Sequence, residues 1–241
     1  MHISGIGRKT ERLLWRKGIH TWYHFINHSG EIFSPVRDRY IKEQLRDSIN
    51  NKNNIGFFKD RLCTEEMWRL FGAFRHRAVY LDIETTGGYQ GLNDITVIGL
   101  YDGHEYCSFI NGKNIDEFES VIGNFDLVIT FNGTTFDLPF IRKWFRHISL
   151  PSTHIDLRFL LRKIGYRGGL KKIERKLDIQ RKEDIRGMSG YDAVVLWKAY
   201  QWGDDQALDL LLRYNEADVV NLEKLMDFCY KKMKELTLRT L

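Results

Sequence analysis

The chain has 241 residues, enough for one large domain or a core domain with a small appendage, and 43% are hydrophobic, which argues against wholesale disorder. No apolar run approaches the roughly 18–20 residues a membrane span needs, and the opening MHISGIGRKTERLL lacks the apolar region of a secretory signal. Cys63, Cys107 and Cys229 are odd in number and far apart, which argues against a disulfide framework or a zinc site and for a reducing, cytoplasmic location.

The formal net charge is +5, with a pI near 9.0. Residues 1–77 hold 15 Lys/Arg against 8 Asp/Glu, and residues 158–186 hold 11 against 4, so the remainder is net acidic. Positive flanks around an acidic remainder suit a nucleic acid held over a carboxylate cluster; solvated charged faces are the other reading.

In chain order, Thr10–Lys17 has a helical pattern that Gly18 ends, and Thr21 starts a second helix. Residues 31–77 read as basic and helical, through Arg37–Arg46 and Thr64–Phe71, with a polar loop at Asn50–Asn54. The pattern changes at residue 78. Ala78–Glu84, Asp94–Tyr101 and His104–Ile110 read as strands, the last two joined by an Asp102-Gly103 turn. A helix follows over Ile115–Ile122, then a buried strand over Asp126–Phe131, a helix over Asp137–Phe145 and a short strand over Thr153–Asp156. Everything later reads helical, including Ser189–Trp202 capped by Ser189, and one or two helices over Leu208–Leu236. Hairpin strands followed by strands alternating with helices predict an α/β fold with a mixed sheet flanked by helices, and a small helical N-terminal region. The expected divisions are 1–30, 31–77 and 78–241.

Three groups of residues carry chemistry. In Leu81-Asp-Ile-Glu-Thr-Thr-Gly-Gly88, Asp82 and Glu84 share one face of a strand, where like charges repel and lose hydration unless a cation compensates. A strand end whose acids reach solvent is the alternative. The Thr85-Thr86-Gly87-Gly88 tail leaves room for a close ligand. In Asn132-Gly-Thr-Thr-Phe-Asp137, Asn132 presents an amide at a strand tip, and Asp137 starts a helix, as an N-cap, a metal support or both. In Tyr214-Asn-Glu-Ala-Asp218, Tyr and Asp share a helix face beside an apolar stripe of Leu208, Leu211, Leu212, Val219 and Leu222. Asp156 reads as the cap of a helix beginning at Leu157.

Together, Asp82-x-Glu84, Asn132…Asp137 and Tyr214-x3-Asp218 resemble the three ordered motifs of the DEDD superfamily of 3′–5′ exonucleases, tyrosine subtype, on a ribonuclease H-like fold. The DnaQ-like, YprB-type group and the exonuclease domains of family B polymerases are the nearest in character. The resemblance covers roughly residues 78–230. It implies hydrolysis of phosphodiester bonds from a 3′ end with two divalent cations, Mg²⁺ or Mn²⁺, the choice that hard oxygen ligands favour. By the family pattern Asp82 bridges both ions, Glu84 and Asp218 hold the ion that activates water, Asp137 supports the second, and Tyr214 orients the attacking water. Thr85, Thr86, Asn132, Lys171 and Lys172 are the expected substrate contacts, the lysines lying on a basic helix after Gly168-Gly169.

Ile3-Ser-Gly-Ile-Gly-Arg-Lys-Thr, with Gly18-Ile19, resembles a helix-hairpin-helix motif in which Gly5, Gly7, Arg8 and Lys9 contact a phosphate, although only four residues precede Gly5. A structural unit packed through Trp15, Trp22 and Phe25 is the other reading. The partner expected is a DNA or RNA 3′ end, with single-stranded DNA favoured and a repair or replication protein as a further partner. The rival functions are a catalytically idle nucleic-acid-binding module and a structure-selective endonuclease on the same fold.

Overall fold

The structure is a computed structural model that describes residues 1–87 and 94–238, so Gly88 of the Thr/Gly tail lies outside the described residues. The chain divides into two compact units, one formed by Met1–Phe74 with the residues from Lys232 onward, the other by Arg75–Lys231.

The first unit contains α1 (Arg8–Arg16), α2 (Trp22–Ile26), α3 (Pro35–Asn50), α4 (Ile55–Lys59), a 3₁₀ segment (Thr64–Leu70) and α5 (Phe71–Phe74). Gly18 closes α1 at φ +77°: its N–H donates to the Trp15 carbonyl, and that of Ile19 to Leu14, the paired bonds of a glycine-terminated helix. The Thr21 hydroxyl accepts from His24 N at the start of α2. Ile3, Ile6, Leu14, Ile19, Phe25, Ile41 and Leu45 fill this unit's core. The sequence predicts an ordinary helix over Thr64–Phe71, whereas the backbone is 3₁₀ as far as Leu70. A 3₁₀ turn eclipses residues i and i+3; here that pairs Arg69 Nε with Glu66 Oε2 at 2.6 Å, and Glu66 is a buried acid.

The second unit begins with a 3₁₀ turn and continues through β1 (Ala78–Thr85), β2 (Ile95–Tyr101) and β3 (Tyr106–Ile110). After a short 3₁₀ turn come α6 (Phe118–Ile122), β4 (Leu127–Thr130), α7 (Asp137–Trp144) and β5 (Thr153–Asp156). Four helices follow: α8 (Leu157–Lys163), α9 (Leu170–Lys176), α10 (Gly190–Gln201) and α11 (Asp205–Leu238), the last belonging to this unit as far as Lys231. The strands form one sheet in the order β3-β2-β1-β4-β5. β1, β2 and β3 pair antiparallel, and β1, β4 and β5 pair parallel. This is the mixed α/β sheet with flanking helices that the element order predicts.

Strand alternation divides β1 between two environments. Val79, Leu81 and Ile83 join Ile98, Leu100, Phe109 and Val128 in a core completed by Phe118 and Ile122 of α6 and Ile141 of α7. Full burial of each such side chain is worth about 1.5–3 kcal/mol. The alternate residues Tyr80, Asp82 and Glu84 take the other face, the side on which Val97 packs with Ala193 and Trp197 of α10 and Leu208, Leu211 and Tyr214 of α11. The acids of β1 are therefore carried on the α11 side of the sheet.

Two local expectations differ in detail. The β2–β3 connection is a four-residue loop, because the Asp102 carboxylate accepts from both His104 N and Glu105 N at 2.8 Å and bends the chain early. The N-cap of α7 is Phe136, so Asp137 is the first helical residue rather than the cap. The β1–β4 ladder ends at Tyr80↔Ile129, and beyond it Asp137 Oδ1 accepts from the Ile83 N–H at 3.0 Å.

Gly99 of β2 pairs with Asp82, and a Cβ at position 99 would lie 1.9 Å from Asn215 Oδ1 and 2.9 Å from its Cγ. Gly99→Ala is expected to destabilise the protein by about 1–3 kcal/mol through overpacking, read as a lowered thermal midpoint by circular dichroism; an unchanged midpoint would refute this packing constraint.

Candidate metal centre

Asp82, Glu84 and Asp218 converge from β1 and α11. Each offers a carboxylate oxygen, and these oxygens lie within 4.8 Å of one another. Glu84 and Asp218 are buried, and Asp82 keeps partial access to solvent. Among the described residues, Glu84 Oε1 is fully buried and has no hydrogen-bond partner. A buried carboxylate oxygen left without a donor is costly. Three hard oxygen donors at this spacing, one of them unsatisfied, fit a divalent cation of the Mg²⁺ or Mn²⁺ type.

The electrostatics point the same way. Burial pushes the Asp82 carboxyl well above its ordinary range, and the charges of Asp137, Asp218 and Glu84 push it further. Glu84 is pushed up to about 8 by burial and by Asp218, with Lys171 and the Asn215 amide acting in the opposite sense. Burial pushes Asp137 up to about 7, against hydrogen bonds that include the one from Ile83 N. These are acids packed more closely than water would allow, the condition that a bound cation relieves.

Tyr214 lies one turn before Asp218 on α11 and is buried. Its phenol is raised above its ordinary value by burial first and then by Asp218, Glu84 and Asp82, so it stays protonated. Lys171 of α9 places Nζ 3.2 Å from Asp218 Oδ2 and 4.4 Å from the centre of the Tyr214 ring. Lys172 is exposed, with its stem beside Gly168. The two neighbouring lysines thus have different surroundings.

The other expected contacts are partly committed within the chain. The Thr86 hydroxyl accepts from Asp94 N at 3.1 Å, and Thr85 is half-buried at the end of β1. Gly87, at φ +69°, meets the α10 side chain Val194, whose Cγ2 would be 2.6 Å from an added Cβ. Asn132 is in the left-handed region at φ 71°. Its Oδ1 accepts from Thr135 Oγ1 at 2.8 Å and from Arg158 Nη1. Asp156 caps α8 through Arg158 N, and also accepts from Asn132 N at 2.8 Å and Thr134 N at 3.1 Å, so it fixes the loop that carries Asn132. In the first unit Gly5, Gly7, Arg8 and Lys9 are exposed around the start of α1. The Gly5 carbonyl accepts from Arg37, and Arg8 Nε donates to Glu66 Oε1 at 2.8 Å.

Sequence reasoning missed two neighbours of the acids. Asn215, fully buried, donates from Nδ2 to Asp82 Oδ2 at 3.3 Å and accepts at Oδ1 from the Tyr106 hydroxyl at 3.0 Å. Its signal was a polar residue inside the apolar stripe beside Tyr214. Arg181 bonds Asp218 Oδ1 and Glu174. It lies in a charged stretch after α9 with no local pattern to mark it.

Residues 79–230 match the RNase_H_2 family of the RNase_H superfamily. The chain belongs to that superfamily. No curated protein sequence matches it. Among solved structures, it is similar to the family B DNA polymerase of the hyperthermophilic archaeon Pyrobaculum calidifontis, with a TM-score of 0.50 and 14% identity over 66% of this chain and 24% of that one. It thus spans about a quarter of the polymerase, and the likeness is one of fold. NrnC of Brucella melitensis with bound Mg²⁺ aligns at a TM-score of 0.47, with 19% identity over 67% of this chain and 76% of that one. RNase D of Escherichia coli aligns at 0.43, with 16% identity over 73% and 48%. Among the described residues no helix is long and apolar enough to cross a membrane.

A carboxyl whose folded pKa is raised holds its proton more tightly in the folded than in the unfolded chain, so its stability contribution is lost as pH rises toward the folded value. The buried histidines His2 and His154, lowered to about 4 chiefly by burial, act in the opposite sense but only below neutral pH, whereas the N-terminal amine, lowered chiefly by burial, opposes the carboxyls within the window, so the comparison with Glu84→Gln is the readout. Between pH 7 and 8.5, in chelator, the melting temperature is expected to fall as Asp137 and Glu84 ionise, and to fall less in Glu84→Gln. A fall in Glu84→Gln as large as that of the wild type contradicts the assignment.

Proposed function

We propose that the protein is a metal-dependent 3′–5′ exonuclease that hydrolyses phosphodiester bonds of nucleic acid, with single-stranded DNA the favoured substrate and RNA the second. The observation that carries this reading is the convergence of Asp82, Glu84 and Asp218 oxygens within 4.8 Å, in a chain of the RNase_H superfamily. Asp82, Glu84 and Asp218 would hold divalent cations, with Asp137 in support. Bound there, Mg²⁺ or Mn²⁺ supplies charge neutralisation on the phosphate and a water of lowered pKa.

The chain's own groups do the rest. Tyr214, protonated and buried beside Asp218 and Glu84, is a poor base and a suitable hydrogen-bond donor, so it orients the attacking water. Lys171 meets the negative charge of the substrate strand at the edge of the cluster. Asn215 holds Asp82 with one oxygen engaged, and the glycine at position 99 makes room for that amide. The polarity, the exonucleolytic mode and the tyrosine subtype rest on the order of the motifs Asp82-x-Glu84, Asn132…Asp137 and Tyr214-x3-Asp218.

The test is incubation of 5′-labelled single-stranded DNA and RNA with Mg²⁺, Mn²⁺ or EDTA. A ladder that shortens only with metal is expected. Binding without shortening across all metals supports an idle module, and cleavage of a circular strand supports an endonuclease. Asp82→Ala is expected to abolish the metal-dependent cleavage, and wild-type turnover in that variant would remove the site from the mechanism. Tyr214→Phe, which removes only the hydroxyl, is expected to lower kcat by about 10- to 100-fold, the scale of a misplaced reactant, with KM little changed; a KM effect alone would assign the phenol to substrate binding instead.

A further inference from the structure

We infer that Arg181 is a positioning residue for the metal centre: through a buried network with Glu174 and Asn221 it fixes the orientation of the Asp218 carboxylate. The inference rests on the proposed metal-dependent reading of the site.

The observations are geometric. The Arg181 side chain is 7% exposed, that of Glu174 2% and that of Asp218 5%, so three charged groups are removed from water together. Arg181 meets Glu174 as a fork, Nε to Oε2 at 2.8 Å and Nη2 to Oε1 at 2.7 Å. Its Nη2 also donates to Asp218 Oδ1. Asn221 Nδ2 donates to Glu174 Oε1 at 3.0 Å, and Lys224 Nζ to Asn221 Oδ1 at 3.0 Å. Glu174 stands one turn after Lys171 on α9, and Asn221 one turn after Asp218 on α11. Each helix thus presents one residue to the acid cluster and a second, three positions on, to the network behind it.

The consequence for Asp218 is specific. With Oδ1 bound by a guanidinium that is itself fixed by two bonds to Glu174, the carboxylate cannot rotate freely. Lys171 Nζ donates to the other oxygen, Oδ2, at 3.2 Å, so both oxygens are held by positive groups. A planar five-donor group can hold both carboxylates in one plane, which a lysine ammonium cannot do with the same geometry. Groups that orient a ligand in this way commonly govern metal affinity about as strongly as 10- to 100-fold.

Charge and geometry predict opposite signs. If Arg181 acted only as a nearby positive charge, removing it would tighten cation binding. If it positions Asp218, a lysine that keeps the charge but loses the fork would weaken binding. The test is Mn²⁺ titration of the full chain followed by electron paramagnetic resonance, which reads bound metal without turnover. Arg181→Lys is expected to raise the Mn²⁺ dissociation constant at least about tenfold. The double variant Arg181→Met with Glu174→Leu removes both members of the ion pair, so no buried charge of that pair is stranded. It should fold in chelator, as read by circular dichroism, and show the same loss of Mn²⁺ affinity. Affinity that is unchanged or tighter in either folded variant overturns the role of Arg181. Wild-type protein that binds no Mn²⁺ overturns the metal site itself, and this inference with it.

Discussion

The structure depends on one constraint: carboxylates from β1 and α11 are brought close together where water is scarce. Such a cluster opposes folding, because each ionised acid loses hydration and feels its neighbours. The second unit holds it in place with apolar burial on both faces of the sheet. One face of the sheet is sealed by α6 and α7, and the other packs through Val97 of β2 against α10 and α11. The acids sit where that second layer gives way to polar side chains: Asn215 on Asp82, Lys171 and Arg181 on Asp218.

The same economy appears at the ends of the parallel strands. Beyond the end of the β1–β4 ladder, Asp137 accepts from the buried Ile83 amide. At the end of β5, Asp156 accepts from three amides and so fixes the left-handed Asn132. Both acids satisfy backbone groups at the ends of regular elements. Asp137 thereby stands beside the cluster with one oxygen already engaged, and Asp156 acts on the loop rather than on the cluster.

Much of this was legible because it is local. Strand alternation placed Asp82 and Glu84 on one face, and helical spacing placed Tyr214 above Asp218. The switch from a helical to a strand pattern at residue 78 marked the start of the sheet, which begins at Ala78. The departures come from side chains that bond across the fold. The backbone over Thr64–Leu70 follows a buried Glu66 whose partners include Arg8, 58 positions away. Asp137 looked like a helix cap because its partner, Ile83, is 54 positions distant. Gly87 looked like space for a ligand, but its close neighbour is Val194 of the same chain. Arg181 was illegible for the same reason: nothing near it in sequence says that it faces Asp218, 37 positions on.

The distance between partners has a further meaning for how the protein forms. Asp82 and Asn215 are separated by 133 positions, and the triad is incomplete until Asp218 has joined the acids of β1. Contacts of such long sequence separation carry a large loop-closure cost and tend to form late. A chain emerging from the ribosome can build the β1–β2–β3 hairpins long before α11 exists. During that interval Asp82 and Glu84 lie at an unfinished surface, without the third acid, the tyrosine or the arginine network. The convergence of the acids is therefore a property of the finished fold alone, and a nascent or truncated chain carries the acids without the cluster.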